Sequence, residues 1–272
     1  MRLGIGSYTY TWAIGVPGHP PGQPMTVRDL LDRARQLGVG VVQIADNLPL
    51  DRLSLAERED LDSRARGLGI SLEVGTRGIA PEHLSRYVEI ASRLRSRILR
   101  VVVDTSDHRP GEDEIVEMLG GMTPELQSAG ICLAIENHDR LPARTLARVV
   151  ERIGSAHVGI CLDTVNSFGA LDGPDAVVDA LGPWTVNLHV KDFAIERVSH
   201  AMGFGVEGKP AGRGRLNVPW LLERLRAFGR DPNAILELWT PPGATLEETI
   251  AMESEWASDS IKYLRSLIPE NV

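Results

Sequence analysis

The chain has little cysteine, no long apolar run, no basic stripe and no linker-like stretch, and each absence narrows what it can be. Only Cys132 and Cys161 occur among the 272 residues, so a disulfide framework has no basis. Both lie in apolar runs, which marks them as buried free thiols. No segment has the uninterrupted apolar length that a bilayer crossing needs. The opening residues, Met1 to Gly6, lack the apolar stretch of a secretory signal. The expected location is therefore the cytoplasm, without a membrane partner. Acidic residues outnumber basic ones, 37 to 29, for a net charge of −8. Lys and Arg are scattered, which argues against a nucleic-acid partner.

What the chain does contain is a regular alternation. Short apolar runs at 3–7, 39–45, 71–75, 98–104, 132–136, 158–163, 186–190 and 234–238 predict eight strands. Most are nearly continuous, as expected for parallel strands covered on both faces. Amphipathic helical segments lie between them. Thr26 to Asp29 and Ser54 to Glu57 carry the capping-box pattern of a hydroxyl followed by an acid. Gly38, Gly69, Gly130, Gly154, Gly182 and Gly229 stand between a helix and the next strand, where a left-handed residue stops the helix. No Pro/Ser-rich linker divides the chain. The pattern predicts an α/β fold, a single (β/α)8 TIM barrel domain over residues 1–272. Two long connections, 9–25 and 193–217, leave the carboxyl ends of the first and seventh strands. Barrel sites form on that side, and loops of this length serve as lids or binding loops.

Polar residues interrupt the apolar runs at one consistent place. Glu136, Asp163, His189 and Glu237 fall at or near the carboxyl ends of strands five to eight. Such groups are costly there unless paired, hydrogen-bonded or bound to an ion. A buried ion-pair network with Arg100, Lys191 and Arg215 is the competing reading. Four successive strand ends converging on one mouth favour a divalent cation, which relieves the repulsion among three carboxylates. Oxygen ligands with one imidazole suit Mn²⁺ first, with Mg²⁺, Co²⁺, Zn²⁺ or Fe²⁺ as alternatives.

Ile135-Glu136-Asn137, Leu162-Asp163-Thr164, His189-Val190-Lys191-Asp192, Gly212-Arg213-Gly214 and Leu236-Glu237 together resemble the xylose isomerase-like TIM barrel superfamily. That superfamily holds sugar isomerases, sugar epimerases, inosose dehydratases and the apurinic endonucleases of the AP endonuclease 2 type. The resemblance implies that Glu136, Asp163, His189 and Glu237 carry the metal and that Glu136 and Glu237 are catalytic proton-transfer groups. The endonucleases have a histidine where this chain has Asn166, and further ligands where Val206 and Gly208 stand. Their three-zinc cluster is therefore incomplete here. The ketose 3-epimerases also have a substrate-contacting histidine at the Asn166 position, and their arginine after strand seven does not align cleanly with Arg197.

The shared chemistry is proton movement beside a carbonyl. The implied function is a metal-dependent sugar isomerase or epimerase acting on a keto-sugar or sugar acid through an enediolate stabilised by the ion. A lyase is the alternative: a decarboxylase of a 3-oxo sugar acid such as 3-oxo-isoapionate, or an inosose-type dehydratase. A metal-stabilised sugar-binding protein is the non-enzyme alternative, and the presence of both Glu136 and Glu237 argues against it. Further substrate contacts are expected at His138, Asn166, Lys191, Arg197, Glu73 and Trp12, with Gln43, Arg213, Arg215, Tyr8 and Trp239 as additional candidates. The partner is a small sugar or sugar acid, and association into a homo-oligomer is expected by analogy with relatives.

Overall fold

Each apolar run becomes a strand. The computed structural model describes residues 1–269. Its barrel strands are β1 (Leu3–Gly6), β2 (Val41–Ile44), β3 (Ser71–Arg77), β4 (Ile98–Val102), β5 (Cys132–Glu136), β6 (Val158–Asp163), β7 (Thr185–Val190) and β10 (Asn233–Leu236). All neighbouring pairs are parallel and the sheet closes, β1 pairing with both β2 and β10. The fold is a TIM barrel, as the sequence predicts.

The helices α2 (Val27–Leu37), α3 (Leu55–Gly67), α4 (Pro81–Arg93), α5 (Glu112–Ala129), α6 (Ala143–Ile153), α7 (Pro174–Leu181), α8 (Val218–Ala227) and α9 (Leu246–Leu267) follow the strands, and the short α1 (Thr11–Ile14) lies in the loop after β1. Both capping boxes form, at Thr26 with Asp29 and at Ser54 with Glu57. Five of the six punctuating glycines adopt the left-handed conformation. Gly182 does not: its φ is −50°. It is needed for space instead, because a Cβ there would lie 2.6 Å from the Phe228 ring.

The loop after β7 is not irregular. It contains an antiparallel hairpin, β8 (Asp192–Arg197) with β9 (Phe204–Lys209). The turn that follows wraps the Asp192 carboxylate: Gly212 and Gly214 each donate N–H to Oδ2 at 2.9 Å, and Leu216 donates to Oδ1 at 2.9 Å. A Cβ on Gly214 would collide with that carboxylate at 2.1 Å, so this glycine is required for the close approach. Cys161 is buried, whereas Cys132 is only partly so, and both are free. No helix among the described residues is long and apolar enough to cross a membrane.

Candidate active site

Side chains two apart on a strand share a face, so the inner side of the barrel receives Cys161 with Asp163 and Asn187 with His189. Strand register then places Asp163 beside His189 across β6 and β7. The result is a buried floor at the carboxyl end of the barrel. His189 Nδ1 lies 3.4 Å from Glu136 Oε2, 3.6 Å from Asp163 Oδ2 and 3.3 Å from Glu237 Oε1.

The orientation of His189 and Asp163 is fixed from behind. The Gln43 amide donates to Glu73 Oε2 at 3.1 Å and to Asn187 Oδ1 at 2.9 Å. Its oxygen therefore faces His189 Nε2, 2.7 Å away. Nε2 carries the proton, and Nδ1 turns its lone pair toward the three carboxylates. Asp163 accepts N–H from Val165 and Asn166 through Oδ1, both at 2.9 Å, which leaves Oδ2 for the floor. Asn137 ties β5 to β6 by donating to the Asp163 carbonyl and accepting its N–H. His189 Nδ1 and Glu237 Oε1 are buried without hydrogen-bond partners, and Asp163 Oδ2 meets only the Lys191 ammonium. Donor atoms of Asp163, His189 and Glu237 all lie within 4.8 Å of one another.

A lone pair and carboxylate oxygens converging on one point fit a divalent cation, and Glu136 would complete the shell. Burial works against a charged imidazole, yet Cys161, Glu237 and Glu136 outweigh it and push the His189 pKa well above its usual value. A proton and a cation thus compete for Nδ1, and acid weakens ion binding. Since Gln43 sets the tautomer, Gln43→Leu should weaken metal affinity about 10- to 100-fold with the fold intact. Titration of the metal-free variant, read by calorimetry, checks this; wild-type affinity would remove Gln43 from the role.

Cations line the same floor. Lys191 Nζ sits 2.8 Å from Asp163 Oδ2 and 2.7 Å from Glu237 Oε2. Burial disfavours its charge, but Asp163 and Glu237 prevail and raise its pKa. Arg100, fully enclosed, pairs with Glu136 and reaches Asp46 Oδ1 at 2.8 Å. Asn166 donates to Glu136 Oε1 at 2.7 Å. Burial raises the Glu136 pKa, and Arg100, His189 and Lys191 more than reverse this, so Glu136 is held ionised. Arg77, at the end of β3, pairs with Asp46 Oδ2 at 3.2 Å and also reaches the cavity.

The cavity above this floor encloses about 480 Å³. Tyr8, Trp12 and Trp239 form apolar walls, and His138 stands at the rim with Nδ1 3.0 Å from Asp139 Oδ2. Of the expected substrate contacts, His138, Asn166, Lys191 and Trp12 line the cavity. Glu73 does not. It lies deeper, where Gln43, Asn187 and Asn233 already saturate its oxygens. Arg197 lies on the hairpin, stacked 4.7 Å from the Phe204 ring and bonded to the Ala201 carbonyl. Arg213 pairs with Asp259 at the surface, and Arg215 lines a separate depression beside Trp220. Sequence reading missed Arg77 and Asp46. Each ends a strand or begins the loop after it, but neither interrupts an apolar run sharply enough to stand out.

A family model described as xylose isomerase-like TIM barrel matches residues 31–267. A 3-oxo-isoapionate decarboxylase from Pectobacterium atrosepticum is 36% identical over 271 residues, covering 99% of this chain and 97% of that protein. Among solved structures, a D-psicose 3-epimerase from Clostridium cellulolyticum with D-tagatose superposes with TM-score 0.74 at 17% identity, covering 98% of this chain and 99% of the other. A xylose isomerase-like TIM barrel protein from Mycobacterium smegmatis in complex with magnesium superposes with TM-score 0.67 at 13% identity, covering 96% and 97%.

Proposed function

From the premise that the chain belongs to the xylose isomerase-like TIM barrel family, we propose that it is a divalent-metal-dependent lyase that removes CO₂ from a 3-oxo sugar acid. One observation carries this reading. Lys191, Arg100 and Arg77 reach the cavity together with the buried metal-type cluster. Glu136, Asp163, Glu237 and Asp46 balance these cations with a slight negative excess, and a divalent ion turns the balance positive. A positive floor favours an anionic sugar acid over a neutral ketose. The decarboxylase relative supports the same substrate class.

In a 3-oxo acid the carboxylate is attached to the carbon beside the carbonyl. Cleaving that bond releases CO₂, leaves the electron pair as an enolate, and requires one proton on the vacated carbon. The bound ion would supply an electrophile for the carbonyl oxygen. Glu136, Asp163, His189 and Glu237 would hold it, with Mn²⁺ as the first candidate and Mg²⁺, Co²⁺ or Zn²⁺ as alternatives. The Lys191 ammonium adds positive charge where the enolate develops. Glu136 is committed to Arg100 and Asn166. Glu237 would hold the ion through Oε1, and its Oε2 contacts only the Lys191 ammonium, so it is the better placed to pass a solvent proton through Oε2. Trp12, Trp239 and Tyr8 exclude water from the ring of polar groups, while Asn166 and His138 orient substrate hydroxyls.

Two glutamates on one floor also favour a second reading, an isomerase or epimerase in which one removes a proton and the other returns it. Incubating the metal-loaded protein with a 3-oxo sugar acid in D₂O separates the two. Decarboxylation gives one CO₂ per turnover and one deuterium on the vacated carbon. A product that keeps its carboxylate and exchanges only a carbon-bound proton would replace the lyase reading with the second.

A further inference from the structure

The loop after β1 places an aromatic wall on the cavity, and its anchor comes from the far end of the chain. Glu253 of α9 is completely buried. Its Oε1 accepts N–H from Trp12 at 3.0 Å and its Oε2 accepts N–H from Ala13 at 3.1 Å. These are amides of the first turn of α1, which lack partners within the helix. The Trp12 ring is held from its other end, Nε1 donating to the Thr240 carbonyl at 2.8 Å. The loop closes behind it through Met25 N–H to the Ala13 carbonyl at 2.8 Å.

We propose that Glu253 is a positioning residue for the substrate cavity, holding α1 so that the Trp12 ring stands as one of its walls. The proposal rests on the cavity being the substrate site described above. A buried carboxylate held by backbone amides alone is costly, and a neutral side chain of the same shape would serve packing as well. What the charge adds is strong acceptance from two amides at once.

Burial, opposed by the amides of Trp12, Ala13 and Thr11, pushes the Glu253 carboxyl up to about 7. Tyr10 faces it and Arg33 of α2 acts on Tyr10 in turn. The tyrosine is itself pushed up to about 12, mainly by burial, so neither changes charge near neutrality. As pH falls through about 7 the anchor therefore becomes a neutral, weaker acceptor and the wall loosens. Stability moves the other way. The folded carboxyl takes a proton more readily than the unfolded one, whose pKa is about 4.3, so acidification across that window stabilises the fold. KM and thermal stability thus diverge, which a merely structural residue would not produce.

The test uses the full chain loaded with metal. Hydrogen exchange of the peptide spanning Trp12 and Ala13, corrected for intrinsic rates, needs no substrate. Glu253→Gln should lower protection there about tenfold and abolish the extra loosening that wild type shows between pH 8 and pH 6. With a 3-oxo sugar acid, Glu253→Gln should raise KM about tenfold at pH 8 with kcat and metal content little changed. Its melting temperature at pH 8 should equal or exceed that of wild type. Adding Trp12→Ala should raise KM no further, since both changes remove one wall. If Glu253→Gln does not fold, Trp12→Ala alone should erase the pH dependence of KM. Unchanged exchange protection, or KM effects that add, would overturn the proposal. Absence of turnover in wild type would instead count against the lyase reading, and the exchange data alone would decide the anchor.

Discussion

Glu237→Gln should leave the barrel folded, strip most bound metal, and lower turnover by about 10²- to 10⁴-fold, the range that general acid–base groups contribute. The residue serves twice. Its Oε1 faces His189 Nδ1 without a hydrogen-bond partner, and its Oε2 holds Lys191. The amide keeps the shape but loses the charge that both contacts use. Metal analysis after dialysis, circular dichroism and a rate assay read the three consequences separately. Full metal content with full activity would remove Glu237 from the site.

Lys191→Met should have an effect nearly as large, with an unusual dependence on metal. In the metal-free protein the change leaves Asp163 and Glu237 buried without their shared cation, and removing one partner of a buried pair costs about 3–5 kcal/mol. Denaturant unfolding should show that loss. Saturating divalent ion should restore much of it, because an ion binds the same two carboxylates in the folded state only. Turnover should stay low even with metal, since Lys191 is the lysine that lines the cavity among the described residues. A metal-free variant as stable as wild type would mean that Lys191 does not bridge these carboxylates.

The polar floor was legible because it broke a pattern. Glu136 and Asp163 end their strands, His189 stands one residue before the end of β7 and Glu237 one residue after β10, so all four reach one mouth of the barrel. Of the competing ion-pair network, Arg100 and Lys191 do pair with these carboxylates, whereas Arg215 lies elsewhere. Other roles depended on depth along the barrel, which one-dimensional spacing does not give. Gln43 and Glu73 look like substrate contacts because they face inward, yet they lie below His189 and orient it. Arg213 stands among the candidate substrate contacts, yet it pairs with Asp259, and the amides of Gly212 and Gly214 on either side enclose Asp192 of the same chain. The hairpin leaves little signal because its second strand, Phe204–Lys209, is mostly polar or glycine, and its connection lacks the Asn-Gly or Asp-Gly signal of tight turns. Glu253 was invisible in sequence, since nothing local to α9 reveals that its side chain ends on amides some 240 residues earlier.

Anomalous diffraction from crystals soaked in Mn²⁺ tests the central claim most directly. The account predicts one strong peak bonded to Asp163 Oδ2, His189 Nδ1 and Glu237 Oε1 at about 2.0–2.3 Å, with Glu136 completing the shell and Lys191 displaced from the bridging position. A floor without a peak, with Lys191 still joining Asp163 to Glu237, would contradict it.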